Sequence, residues 1–125
     1  MNLLLDTHIL LWWLDDSDFL SKHAHDAIAT TDNLIFVSVA VIWEIRIKQA
    51  LGKLEITVDF LNVLKQQGFE LLSISAEHAF EVGELPMHHR DPFDRMLIAQ
   101  AMEEGLTIVT HDRVFKKYKV PILEV

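Results

Sequence analysis

Short apolar runs alternate with helix-patterned stretches along the whole chain, and that alternation leaves few folds open. Strands are predicted over about residues 2–5, 34–37, 69–74, 106–109 and 121–125. Between them, helices are predicted through residues 9–13, 21–29, from Ser38 to near Gly52, over 58–67, after Ser75, over 92–104 and briefly near 113–117. The boundaries come from punctuation. Ser21, Ser38 and Ser75 can accept the first free helical amides, Pro92 suits a first helical turn, and Gly52, Gly68 and Gly105 suit helix stops. His78 stands where a capping box holds Glu or Gln, and Ala76, Ala79 and Phe80 are expected to share one face. Strand cores this apolar belong to a parallel sheet of about five strands covered on both faces, an α/β fold. The 125 residues, half of them hydrophobic, suffice for one domain spanning residues 1–125, with no linker, repeat or low-complexity tract.

In such sheets ligands bind beyond the carboxyl ends of the strands, near a switch in strand order. Acidic residues gather at those ends. Asp6 closes the run Leu3-Leu4-Leu5, and Asp112 follows the run 106–109 by three positions. Asp94 lies in the first turn of the helix opened by Asp91-Pro92, and Glu44 sits inside the otherwise apolar segment 39–45. Burying one unpaired carboxylate costs roughly several kcal/mol, so four near apolar elements call for a cation or a solvated cleft. Oxygen ligands favour Mg2+ or Mn2+. Each acid also has a local reading. Asp6, Asp91 and Asp112 can cap helices, Asp94 can complement a helix dipole, and Glu44 can pair with Arg46 or Lys48. For Asp6 and Asp94 the local reading and the metal compete evenly, Asp91 reads best as a cap, and Glu44, on a largely buried helix, is the hardest to explain locally; their coincidence at one sheet edge favours the metal.

Clustered carboxylates can hold hard cations against a phosphodiester, with a metal-activated water as nucleophile. No Ser or Cys stands beside a His base, which disfavours covalent catalysis. Thr7, Ser38 and Thr110 read as caps and supporting hydroxyls. Neither His88-His89 nor His23-x-His25 has the i, i+4 spacing that puts two ligands on one helical face, so the histidines are not expected to be ligands. His111, beside Asp112, is the exception to watch. The four scattered glycines form no phosphate-binding loop.

Eleven Lys and Arg against nineteen Asp and Glu give a net charge of −8, which argues against nucleic-acid affinity through bulk charge. The segment Arg113, Lys116, Lys117 and Lys119 reads either as a solvated helix face or as a local grip on an RNA backbone. Without cysteine, a secretory leader or an apolar run of ~20 residues, a cytoplasmic, non-membrane protein is expected. Trp12, Trp13, Trp43, Phe36 and Phe60 are assigned mostly to the core, with one of the adjacent Trp12 and Trp13 left for a subunit or partner interface.

The segments Leu3-Leu4-Leu5-Asp6-Thr7-His8, Ser38…Trp43-Glu44-Ile45, Asp91-Pro92-Phe93-Asp94-Arg95-Met96-Leu97-Ile98-Ala99-Gln100-Ala101 and Ile108-Val109-Thr110-His111-Asp112 together resemble a PIN domain of the VapC type, the toxin half of a toxin–antitoxin pair. The resemblance covers essentially the whole chain. It implies a three-layer α/β/α sandwich and a Mg2+- or Mn2+-dependent endoribonuclease. Asp6, Glu44, Asp94 and Asp112 would be its metal-binding catalytic acids, with Asp91 assisting. It also implies a homodimer and a cognate antitoxin whose tail enters the acidic cleft. Other classes fit less well. A phospho-accepting receiver needs an Asp after the central strand, where Ser75-Ala76 stands, and a Lys near the end of the last strand. An Asp-x-Asp phosphatase is disfavoured by Thr7-His8 after Asp6. A non-catalytic module binding a basic partner is weighed against by the presence of all four acids.

Overall fold

Leu3, Leu4 and Leu5 are wholly buried, which requires helices over both faces of the strand they form. That strand, β1 (Asn2–Leu5), is the centre of the molecule. The computed structural model describes residues 1–56 and 59–125. After β1 come α1 (Thr7–Leu14), α2 (Lys22–Ala29), β2 (Leu34–Ser38), α3 (Val39–Ala50), α4 (Phe60–Gln66) and β3 (Glu70–Leu72). Then follow α5 (Ala76–Glu84), α6 (Pro92–Glu104), β4 (Thr107–Thr110), a 3-10 helix over Arg113–Lys117 and β5 (Ile122–Glu124). The five strands form one parallel sheet in the order β3-β2-β1-β4-β5, the middle layer of an α/β/α sandwich. Connections leave β1 toward β2 on one side and reach β4 on the other, so the order reverses beside β1. Leu5 pairs with Val109 in the β1–β4 ladder, and this register sets Asp6 and Thr110 side by side just past the strand ends.

Local chemistry explains most boundaries. Ser21 accepts from the Ala24 amide at 3.2 Å and Ser38 from the Ala40 amide at 3.1 Å. Asp91 accepts from both Phe93 and Asp94, with Pro92 in the first turn. Gly105 ends α6 at φ 67°, a left-handed conformation that side-chain-bearing residues resist. The third strand is shorter than expected: as a sheet edge it pairs only with β2, from Phe36↔Glu70 to Ser38↔Leu72. The expected start of the fourth helix at Val58 lies outside the described residues; α4 itself begins at Phe60.

Ala76, Ala79 and Phe80 share an exposed face of α5, Phe80 at 73%, and the side chain that α5 turns inward is His78. The imidazole Nδ1 accepts from the Ser75 amide at 3.0 Å while Ser75 Oγ accepts from the His78 amide at 3.1 Å, so histidine itself closes the capping box. Its Nε2 lies 3.3 Å from Glu104 on α6. Trp43, assigned to the core, is 59% exposed. Ala40, Val41, Glu44 and Ile45 form the inward arc of α3, and Trp43 falls outside it at ~100° per residue. Trp12 and Trp13 are both half-buried, the latter donating from Nε1 to Gln67 Oε1 at 3.1 Å.

Candidate active site

Four elements deliver carboxylates to the reversal beside β1. Asp6 leaves the end of β1 in extended backbone and caps α1, its Oδ1 accepting from the Ile9 amide at 2.9 Å. Its Oδ2 takes the hydroxyl proton of Thr110, at the end of β4. Thr110 Oγ1 also accepts from the Asp112 amide at 3.0 Å, so one threonine ties together the acids following β1 and β4. Asp112 caps the 3-10 helix through the Val114 amide at 2.9 Å. Glu44 reaches in from α3 with 6% of its surface exposed. The Thr7 hydroxyl donates to Oε1 at 2.6 Å and Lys48 Nζ donates to Oε2 at 2.7 Å. Asp91 serves as the α6 cap. The local roles and the shared location therefore coexist in the same atoms.

Asp94 is the focus. Burial, then the charges of Asp91, Asp6, Glu44 and Asp112, drive its carboxyl up to about 8. Burial likewise raises Asp6 above the ordinary carboxylate value, against the lowering pull of the Thr110 hydroxyl and the Ile9 amide. Such crowding of like charge in a poorly solvated place is a demand for a cation.

Between Asp94 and Asp112 stands a group that spacing arguments set aside. His89 Nε2 lies 3.0 Å from Asp94 Oδ2 and 3.0 Å from Asp112 Oδ2. Its Nδ1 accepts from the Asp91 amide at 3.3 Å, which leaves Nε2 to donate to Asp112 Oδ2. Ligand atoms of His89, Asp94 and Asp112 all fall within 4.8 Å of one another, the grouping of metal-ligand type found among the described residues. Asp6 and Glu44 are electrostatically coupled to Asp94, but their oxygens turn toward the hydroxyl, amide and ammonium partners named above.

His89 is held by its backbone. Tyr118 Oη accepts from the His88 amide at 3.1 Å and the His89 amide at 2.8 Å, and donates to the Pro86 carbonyl at 2.8 Å. Buried Arg95, one turn beyond Asp91, donates to the carbonyls of Val82, Leu85, Pro86 and His89 at 3.0 to 3.4 Å. No sequence spacing marks His89, because its place depends on a loop fastened from α6 and from Tyr118. His111, the histidine singled out beside Asp112, is exposed, its Nδ1 lying 3.1 Å from the Val125 carbonyl oxygen. In the basic segment, Lys116 pairs with Glu124 and Arg113 approaches the same carboxylate at 4.0 Å. This partly neutralises the segment expected either to face solvent or to grip RNA.

Comparison with known proteins follows this geometry. The PIN domain family model matches residues 3–121. Ribonuclease VapC22 of Mycobacterium tuberculosis is 28% identical over 124 residues, covering 96% of this chain and 94% of its own. The crystal structure of VapBC2 from Rickettsia felis bound to a promoter DNA fragment superposes with a TM-score of 0.76 at 20% identity, over 100% of this chain and 99% of that one. DNA-bound VapBC from Salmonella typhimurium gives 0.75 at 18% identity, over 99% and 98%. At those identities the two structures speak for the fold. Taken with the family match across nearly the whole sequence, they complete the assignment: this chain belongs to the PIN domain family.

Proposed function

We propose that the protein is a metal-dependent endoribonuclease, the toxin of a toxin–antitoxin pair, acting in the cytoplasm as a homodimer. The observation that carries this reading is the crowding of Asp94 by Asp6, Glu44, Asp91 and Asp112 at the sheet reversal. The ribonuclease name of the relative at 28% identity supports the substrate class, and the VapBC complexes among the structural neighbours support an antitoxin partner.

The donor set fits a hard divalent cation: carboxylate oxygens predominate, and their mutual repulsion is what a cation relieves. Asp94 and Asp112 would hold Mg2+ or Mn2+ together with Asp6 and Glu44. When bound, such an ion supplies Lewis acidity toward the phosphodiester and a water of lowered pKa. The remaining work falls to the protein. Thr110 fixes the oxygen of Asp6 and the backbone of Asp112. Thr7 and Lys48 hold the two oxygens of Glu44 in place. His89 steadies Asp94 and Asp112 against one another.

The test is incubation of purified protein with a panel of structured RNAs in Mg2+ or Mn2+, beside an EDTA control and an Asp6→Asn/Asp94→Asn variant. Metal-dependent cuts absent from the variant would establish nuclease and site together. Absence of cleavage in every RNA and metal, with fold and metal binding intact, would replace this reading with one of a module binding a basic partner.

A further inference from the structure

Trp43 and Phe93 form an aromatic pair at the border of the acidic site. Trp43 immediately precedes Glu44 on α3, and Phe93 immediately precedes Asp94 in the first turn of α6. Their rings meet edge to face, with centroids 5.1 Å apart and planes at 80°. The partners are unequal: Phe93 is half-buried, whereas the indole of Trp43 is 59% exposed. Phe93 therefore braces a ring that Trp43 presents to solvent. The inward arc of α3 is filled without Trp43, and none of the acids, caps or hydroxyls described above uses it.

The charge balance gives this ring a task. With a net charge of −8, and with Arg113 and Lys116 drawn to Glu124, the chain has little long-range attraction for a polyanion. An RNA strand brought to these carboxylates needs contacts that do not depend on phosphate charge. Stacking of an unpaired base on an aromatic face is such a contact, tolerant of sequence and open to every base. Resting on the nuclease reading above, we propose that Trp43, braced by Phe93, is a stacking platform for an unpaired nucleobase of the substrate strand beside the scissile phosphate.

The experiment compares wild type with Trp43→Ala and Trp43→Tyr in cleavage of a short unstructured RNA, with sedimentation of each protein at the assay concentration. Removing a stacking ring costs about 5- to 150-fold per base. The expected result for Trp43→Ala is a KM raised at least about fivefold with kcat reduced less than twofold, and most of the KM regained in Trp43→Tyr. In parallel, indole fluorescence is titrated with the same oligoribonucleotide in EDTA, where no cleavage is expected. Quenching present in wild type and lost in Trp43→Ala supports the platform whether or not the RNA is cut. An unchanged KM, or quenching that survives in Trp43→Ala, would overturn it. So would a change in oligomeric state that accounts for the loss, because Trp43 would then belong to a subunit interface. A wild type that cuts no RNA would remove the nuclease reading, and the titration would still decide whether the ring receives a base.

Discussion

Replacing Asp94 with asparagine should stabilise the metal-free protein at alkaline pH. The folded-state pKa of Asp94 is raised from 3.8 to about 8, so the native state keeps a proton that the unfolded chain gives up near pH 4. The associated stability is fully present below that pH and is lost as pH rises through about 8. At about 1.4 kcal/mol per pKa unit the rise corresponds to roughly 5 to 6 kcal/mol as a ceiling. One feature reduces it: 21% of the side chain remains in water. A gain on the order of 2 kcal/mol for Asp94→Asn at pH 8 is the expected remainder, or very roughly 6 to 10 °C in Tm for a domain of this size. Thermal unfolding in EDTA at pH 5 and pH 8 reads this directly. Wild type should lose more Tm between the two values than the variant, which keeps only the smaller loss due to buried Asp6, while added Mg2+ or Mn2+ should raise wild type more than the variant. A variant no more stable than wild type at pH 8 in EDTA, or a wild-type Tm flat across that interval, would refute the reasoning.

Tyr118→Phe removes the oxygen that receives the His88 and His89 amides; it should cost about 1 to 3 kcal/mol in urea unfolding and lower kcat more than it raises KM. Lys48→Met leaves Glu44 with only the Thr7 hydroxyl, and should destabilise by about 1 kcal/mol at neutral pH, the deficit shrinking when Glu44→Gln is added in a double-mutant cycle. Gly105→Ala forces a side chain into φ 67°, and a loss of about 1 kcal/mol should appear in the denaturation midpoint with an unchanged m-value.

What could be read from the residues was what neighbours in sequence decide. Caps at Ser21, Ser38, Ser75 and Asp91, the stop at Gly105 and the apolar strand Leu3-Leu4-Leu5 each act within one turn or one ladder. The parallel sheet follows from their alternation, and with it the gathering of acids at one edge. What escaped depended on which face a helix shows to a distant partner. Trp43 is exposed because Glu44 and Ile45 take the inward arc of α3. His89 enters the site because Arg95 and Tyr118 fasten the loop that carries it. Neither arrangement leaves a periodic trace in the sequence.

The hydroxyl of Thr110 donates to Asp6 across a separation of 104 residues, and Thr110 also receives the Asp112 amide. A site assembled in this way is a record of the order of synthesis. During translation, which delivers the chain from its N-terminus, the first acid emerges early but has no companions at the sheet reversal until β4 inserts beside β1. A nascent chain ending short of Thr110 would carry Asp6, Glu44 and Asp94 without the strand that gathers them. On the nuclease reading proposed above, whatever activity the gathered acids support would thus be withheld until β4 has been made and most of the sequence has been delivered.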